Sequence, residues 1–356
     1  MSSRAIRIGD RVIGGGARPM IIAELSGNHN GSIERAMALV RAAAEHGADA
    51  IKLQTYTADS LTIDSNRPEF FIDDPGGVWH GRRLWELYDE AHTPLAWHAP
   101  LFEEARSLGL ACISSAYDVP AVETLVALGV DAIKIASFEL VHHPLLRAAA
   151  RSGKPLFIST GMGTLKEIDA AVGVAQAGGC EELALLRCTS TYPASEADAH
   201  LCTMVDMRVR HNVLTGLSDH TIGPHVAYAA TALGASVIEK HFTLSRNDGG
   251  VDSSFSMEPQ ELRALRDGSE RVWRSLGVVR YGPLPGESAS MSERPSIFVV
   301  QSVQRGEVFS AANVRVIRPA TGLPPACYDD VIGRVSAADI PAGVPLQWDV
   351  IAPETP

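Results

Sequence analysis

Two lysines sit inside runs that are otherwise apolar: Lys52 in AIKLQ and Lys134 in AIKIAS. A buried, unpaired ammonium is strongly unfavourable. Two of them facing one cavity therefore call for an anion between them, unless each snorkels to solvent or pairs with a carboxylate. Hydroxyls at Ser137, Ser159 and Ser218, with the amides of the STGMG turn at 159–163, supply further donors of the kind a phosphate needs. His220 and His241 end consecutive apolar runs. Two neutral imidazoles with the remaining positions open to water or a substrate oxygen suit a divalent transition ion such as Mn²⁺. Glu24 ends the run IIAE, just before Asn28, His29, Asn30 and Gly31, and is either a third ligand or a base. Asp252, in DGGVDSSFS, is a loop cap or a further acid.

These groups need a scaffold that gathers strand ends. Eight β-rich runs can be read: 19–25, 50–56, 111–117, 132–138, 155–160, 183–190, 212–219 and 236–242. Each leads into an amphipathic run, at 32–47, 94–109, 120–129, 144–153, 164–178, 201–210, 224–234 and 259–277, most of them stopped by glycine. A longer insert rich in aromatic and charged residues separates the second strand from its helix. Eight βα units in about 250 residues match an α/β fold of the (β/α)8 TIM-barrel type, whose catalytic groups lie at the C-terminal ends of the strands. A doubly wound sheet would have fewer units and a Gly-rich turn after its first strand.

Lys52 and Gln54 are two apart and so share one face of their strand. Ser114, Ser115, Thr189, Ser190, Tyr192, Asp219, Glu239 and Lys240 occupy other strand ends. The remaining histidines, among them His46, His80, His92, His98, His142 and His143, do not converge in this way and read as surface or capping residues.

The barrel is expected over residues 1–277, a linker dense in Pro, Gly and Ser over 278–295, and a small β-rich unit over 296–356. That last unit is small for an independent core. The net charge of −11 argues against a broad nucleic-acid surface, though not against an anionic small molecule in a local basic pocket. Five scattered cysteines without a CxxC pair fit reduced thiols, and no signal-peptide core or membrane span is evident. A cytoplasmic protein is expected.

The ordered motifs AELSGNHNGS, AIKLQTY, AIKIASFE, ISTGMG, CTSTYP, GLSDHT and EKHF resemble the sialic acid synthase family over about residues 20–280. The tail, with RGEVFSAANVRVIRPATGLPP, resembles the antifreeze-like (SAF) domain that ends those enzymes. Within the family, GGVDSSFSMEP and LSGNHNGS look closest to the pseudaminic acid branch, and Ser190 stands where neuraminate enzymes more often have Asn. Legionaminate and neuraminate synthases are the near alternatives.

The resemblance implies a condensation of phosphoenolpyruvate with an amino-sugar, releasing phosphate. It implies a bound Mn²⁺, with Mg²⁺ or Co²⁺ as alternatives, and a domain-swapped homodimer. Lys52, Lys134, Ser137, Ser159, Ser190 and Ser218 would then hold phosphoenolpyruvate, and His220 and His241 the metal. Glu24 would handle proton transfer and water. Gln54, Tyr192 and Asp252 would face the sugar, and Arg318 of the tail would reach the partner's substrate. Outside the family, a metal-dependent barrel aldolase could use the same histidines, and a carbohydrate-binding protein could use the tail alone.

Overall fold

The computed structural model describes residues 4–353, in two compact units that divide between Gly277 and Val278. The first opens with a hairpin, β1 (Ala5–Ile8) and β2 (Arg11–Gly14), joined at Gly9 and Asp10. Eight parallel strands follow: β3 (Met20–Glu24), β4 (Ala50–Thr55), β5 (Ala111–Ala116), β6 (Ala132–Ile135), β7 (Leu156–Ser159), β8 (Leu183–Cys188), β9 (Leu214–Asp219) and β10 (Val237–His241). They close in sequence order, with β10 returning to β3, so the barrel has no free edge. Each strand is followed by an outer helix, from Ile33–Glu45 to Pro259–Leu276, as the alternation of apolar runs predicts.

Helix ends follow local chemistry. Ser32 accepts from the Arg35 amide, and Thr164 with Glu167 forms a reciprocal capping box. Apolar residues facing out from the strands, such as Ile21, Ile51, Ile133, Ile158 and Ile238, pack with the helices in the larger core. Those facing in form a second core from Met20, Ile22, Ala50, Ile113, Ala132, Phe157, Leu186, Leu214 and Val237. Burying each large side chain contributes roughly 1.5–3 kcal/mol.

The hairpin lies ahead of the first strand expected from the sequence, at 19–25. Ile6, Ile8 and Ile13 join the inner core and close the barrel at the strands' N-terminal end. The fit is close at Gly14, where φ is +76° and a Cβ would lie 2.7 Å from Leu214 Cδ2 and 2.5 Å from the Arg4 carbonyl oxygen. Only glycine fits there without displacing its neighbours.

The second unit pairs β11 (Ser296–Val299) with β12 (Val314–Ile317), antiparallel. Its core gathers Ile297, Val299, Val303, Phe309, Val314, Leu323, Val331, Ile340, Leu346 and Ile351. Most of its remaining β structure is isolated bridges, such as Val303 with Ile340 and Val308 with Val335. The stretch read as a linker carries a single-turn helix, Ser288–Met291. Among the described residues no helix is long and apolar enough to cross a membrane.

Candidate active site

The site is the next storey of the inner core. Side chains two apart on a strand share a face, so stepping up from Ile22, Ala50, Ile113, Ala132, Phe157, Leu186 and Val237 gives Glu24, Lys52, Ser115, Lys134, Ser159, Cys188 and Glu239. The register sets Glu24 beside Lys52 and beside His241, and Ser115 beside Lys134. One change of residue class along each strand thus turns an apolar floor into a polar chamber at the C-terminal mouth.

Four buried charges meet there. Lys52 Nζ lies 2.6 Å from Glu24 Oε2 and 3.4 Å from Glu239 Oε1, and donates to Ser115 Oγ at 3.0 Å. Lys134 Nζ donates to both Glu239 oxygens, at 3.0 and 2.8 Å. The two lysines therefore share the Glu239 carboxylate. Burial favours the neutral acid at Glu239, but Lys134 and then Lys52 outweigh it and hold the carboxyl down at about 2. At Glu24 burial wins over Lys52, and the carboxyl is raised. The two acids are driven apart in proton affinity, the usual mark of an acid–base site.

Beside this cluster the hydroxyls form a cradle. Ser137 Oγ accepts from the Gly161 amide at 3.1 Å. A Cβ at Gly161 would lie 2.3 Å from Ser190 Oγ and 2.7 Å from Ser137 Oγ, so the turn approaches both hydroxyls as only glycine can. Ser159 Oγ is buried without a hydrogen-bond partner. Ser218 Oγ donates to Glu239 Oε1 at 3.2 Å. Lys52, Lys134, Ser137, Ser159, Ser190 and Ser218, the six residues expected to hold phosphoenolpyruvate, thus lie around one chamber.

His220 and His241 converge, with ring centroids 5.3 Å apart. His220 Nδ1 contacts the Thr189 carbonyl oxygen at 2.8 Å, which leaves Nε2 as the ring's lone-pair donor. His241 Nδ1 is buried without a hydrogen-bond partner, 3.7 Å from Asp252 Oδ2. Burial, then the neighbouring His220, drives the His241 imidazolium far below its ordinary value, so that ring is neutral. Burial opposes a proton on His220 too, but Cys188 beside it reverses the balance and raises it. Cys188 itself is down at about 7: burial raises it and His220 more than compensates. Among the described residues no group of three or more His, Cys, Asp and Glu side chains is placed to hold a cation. The fit is therefore to an ion taking two imidazole nitrogens from the chain and oxygens from elsewhere, which the orphaned His241 nitrogen and the free His220 lone pair match.

The sugar-side expectations distribute unevenly. Tyr192 stacks 4.4 Å from His220. Asp252 is buried beside His241, its carboxyl raised by burial. Gln54 is half-buried, one step above Lys52 on β4. Arg318 lies in the second unit, exposed, 3.9 Å from Glu293. The Asn28–Asn30 turn shapes a loop: Asn28 Nδ2 donates to the Phe242 carbonyl oxygen and to Ser256 Oγ, and Asn30 to the carbonyls of Asp248 and Gly249. It latches the segment that carries Asp252. His98, expected at the surface, is instead buried, with its Nε2 2.8 Å from Thr55 Oγ1.

Several residues had no role assigned from sequence. From sequence Glu239 is only a strand-end acid, and its lysine partners come from β4 and β6. Cys188 and Ser115 follow the same inward parity. Glu139, in the turn after β6, has a buried oxygen without a partner and a carboxyl raised by burial to about 7. Trp79, in the insert, lies 5.1 Å from the Tyr192 ring.

The NeuB family model matches residues 39–281 and the SAF domain model residues 294–352. The chain is 40% identical over 330 residues to the pseudaminic acid synthase of Campylobacter jejuni subsp. jejuni serotype O:2, covering 92% of this chain and 95% of that protein. It is 39% identical over 335 residues to the pseudaminic acid synthase of Helicobacter pylori, covering 94% and 98%. The crystal structure of N-acetylneuraminic acid synthetase from Leptospira borgpetersenii serovar Hardjo-bovis superposes with a TM-score of 0.72 at 31% identity, over 82% of this chain and 96% of that one. With its charged barrel mouth and a match of this breadth, the chain belongs to the NeuB family.

Proposed function

We propose that the chain is a pseudaminic acid synthase, condensing phosphoenolpyruvate with 2,4-diacetamido-2,4,6-trideoxy-altrose and water to give pseudaminate and phosphate. The observation that carries this reading is the pair of buried lysines beside the Gly161 cradle, in a chain 40% identical to a synthase of that name.

Lys52, Lys134, Ser137, Ser159, Ser190 and Ser218 would bind the phosphate and carboxylate of phosphoenolpyruvate, the incoming anion taking lysine donors that now meet Glu239 and Glu24. His220 and His241 would hold a divalent cation, Mn²⁺ in this reading, which supplies Lewis-acid polarisation of the acceptor's aldehyde. Gln54, Tyr192 and Asp252 orient the acceptor, and Glu139 offers its unpartnered oxygen to a sugar hydroxyl or amide. The enol carbon then attacks the aldehyde carbon as Glu24 passes its proton to the aldehyde oxygen, leaving cationic character at C2 of the former phosphoenolpyruvate.

Glu24 steers water onto that carbon and takes its proton. Its raised affinity for a proton suits this step. The tetrahedral product expels phosphate by C–O cleavage, leaving the 2-keto acid. The lysines stabilise the anion throughout, in a chamber of low dielectric where fixed charges act strongly. We further infer a cytoplasmic enzyme acting as a domain-swapped dimer, with Arg318 reaching the partner's acceptor.

Phosphate release from phosphoenolpyruvate, measured with three acceptors, tests the reading. The altrose derivative should be preferred to its legionaminate-type counterpart and to N-acetylmannosamine. Preference for either of the others would overturn the choice of sugar, and turnover of pyruvate in place of phosphoenolpyruvate would overturn the reaction class.

A further inference from the structure

One wall of the chamber is apolar in a way the condensation itself does not require. Tyr192 and Phe255 pack on both histidines: Tyr192 lies 4.4 Å from His220 and Phe255 5.0 Å from His241. The two rings are 5.2 Å apart. Trp79 extends the wall outward, 5.1 Å from Tyr192 and 6.1 Å from Phe255, and remains half-buried. Its backbone comes from the insert after β4, bracketed by Gly76, Gly77 and Gly81. Its indole Nε1 donates to the Val251 carbonyl oxygen at 2.9 Å, next to Asp252.

That hydrogen bond decides what the ring can offer. Nε1–H is the only polar group of an indole, and here it is already engaged. Trp79 therefore presents only hydrocarbon and π surface to whatever fills the chamber. A hydroxyl placed against it would lose water and gain no partner, whereas a methyl would lose only unfavourable hydration. Polar recognition is left to other residues, Glu139, Gln54 and Asp252, so the chamber suits a sugar with one hydroxylated side and one side carrying methyl groups.

We propose that Trp79 is a specificity-determining residue, packing its indole on a methyl group of the acceptor and so selecting deoxy or acylamino sugars over hydroxylated ones. This depends on the synthase chemistry proposed above and adds a residue and a discriminating contact to it. The methyl has two sources in such an acceptor, C6 of a 6-deoxy sugar or the acyl group of a 4-acetamido substituent. The contact chemistry is the same for both.

The test is kcat/KM for phosphate release by the full chain, with Mn²⁺ present, on three acceptors. These are the diacetamido-trideoxy-altrose, its 6-hydroxy analogue, and the analogue with a 4-hydroxyl in place of the 4-acetamido group. Wild type should disfavour at least one analogue by about 10- to 200-fold, the range for a single small apolar group in a pocket. Trp79→Ala should bring that ratio within about threefold, and the analogue affected identifies the methyl. Trp79→Phe, which keeps an aromatic face and loses the bond to Val251, should retain most of the ratio.

Each ratio is internal to one enzyme preparation, so a smaller folded fraction cancels. An equal loss on all three acceptors in Trp79→Ala, or an unchanged ratio, would overturn the proposal and leave the synthase reading standing. So would absence of discrimination in wild type, or a Trp79→Phe variant that behaves like Trp79→Ala. No phosphate release by wild type with any of the three would overturn the synthase reading and this proposal together.

Discussion

Glu239 and Lys240 are adjacent on β10 and point to opposite faces, and each anchors a buried ion cluster. On the outer face, Lys240 Nζ donates to Asp219 Oδ2 at 2.8 Å and to the Thr221 carbonyl oxygen at 2.7 Å. Asp219 Oδ1 in turn accepts from the Thr221 amide and hydroxyl, at 3.0 and 2.8 Å. That pair is closed on itself. On the inner face, two lysines and two carboxylates share contacts, with the orphaned Ser159 hydroxyl and His241 nitrogen nearby. The outer cluster fastens two strands together, and the inner one keeps bonding capacity in reserve for a ligand. Both clusters are buried and pair lysines with equal numbers of carboxylates; what separates framework from site is whether the polar atoms are all used.

The largest effect is expected from Glu24→Gln. It should lower phosphate release per folded molecule by about 10²- to 10⁴-fold, the usual size of a positioned acid or base, with a smaller loss of stability than the next variant because Lys52 keeps Glu239 at 3.4 Å as a second counter-charge. Next, Asp219→Asn should leave Lys240 buried without a counter-charge and lower the unfolding free energy by about 3–5 kcal/mol. If the outer pair is only a fastener, combining Asp219→Leu with Lys240→Met should recover much of that loss, since well-packed apolar replacements of buried pairs are often neutral.

A third test uses pH. Glu239 is held at about 2, below its ordinary value, so its stabilising contribution is present above the unfolded-state pKa and is lost as pH falls through the folded one. Between about pH 4.3 and 2 the unfolded chain binds the extra proton, so stability should rise with pH by up to about 1.4 kcal/mol per unit from this group. Denaturant titrations across that window should show a shallower slope in Glu239→Gln. The smallest effect belongs to Thr221→Val, which removes one hydroxyl bond to Asp219 and should cost about 1 kcal/mol by the same measurement.

Much of this was legible in the residues. Eight strands, their helices and the inward lysines follow from apolar periodicity, and the histidine pair follows from strand order. Parity also separates Glu239 from Lys240, because every second residue up from the apolar floor faces the chamber. The partners were harder to read. Lys134 and Glu239 are 105 residues apart and meet only because the barrel closes, which no local spacing encodes. Trp79 is carried by an irregular insert held by scattered loop contacts, among them its own bond to Val251, so its place over Tyr192 had no periodic signal. The hairpin did have one: Ile6 and Ile8 alternate with polar residues ahead of a Gly9–Asp10 turn.

That hairpin also sets an order of events during synthesis. It precedes the strands it caps, yet its seat includes Leu214 on β9 and Val237 on β10, some 200 residues later. Contacts of such long sequence separation form late, because closing the loop costs entropy before any burial repays it. The seat of Ile6, Ile8 and Ile13 is therefore complete only once the last barrel strand has been made. Until then the hairpin can rest only on the earlier part of that seat, such as Ala111 beside Gly9, and its closure completes the barrel floor last.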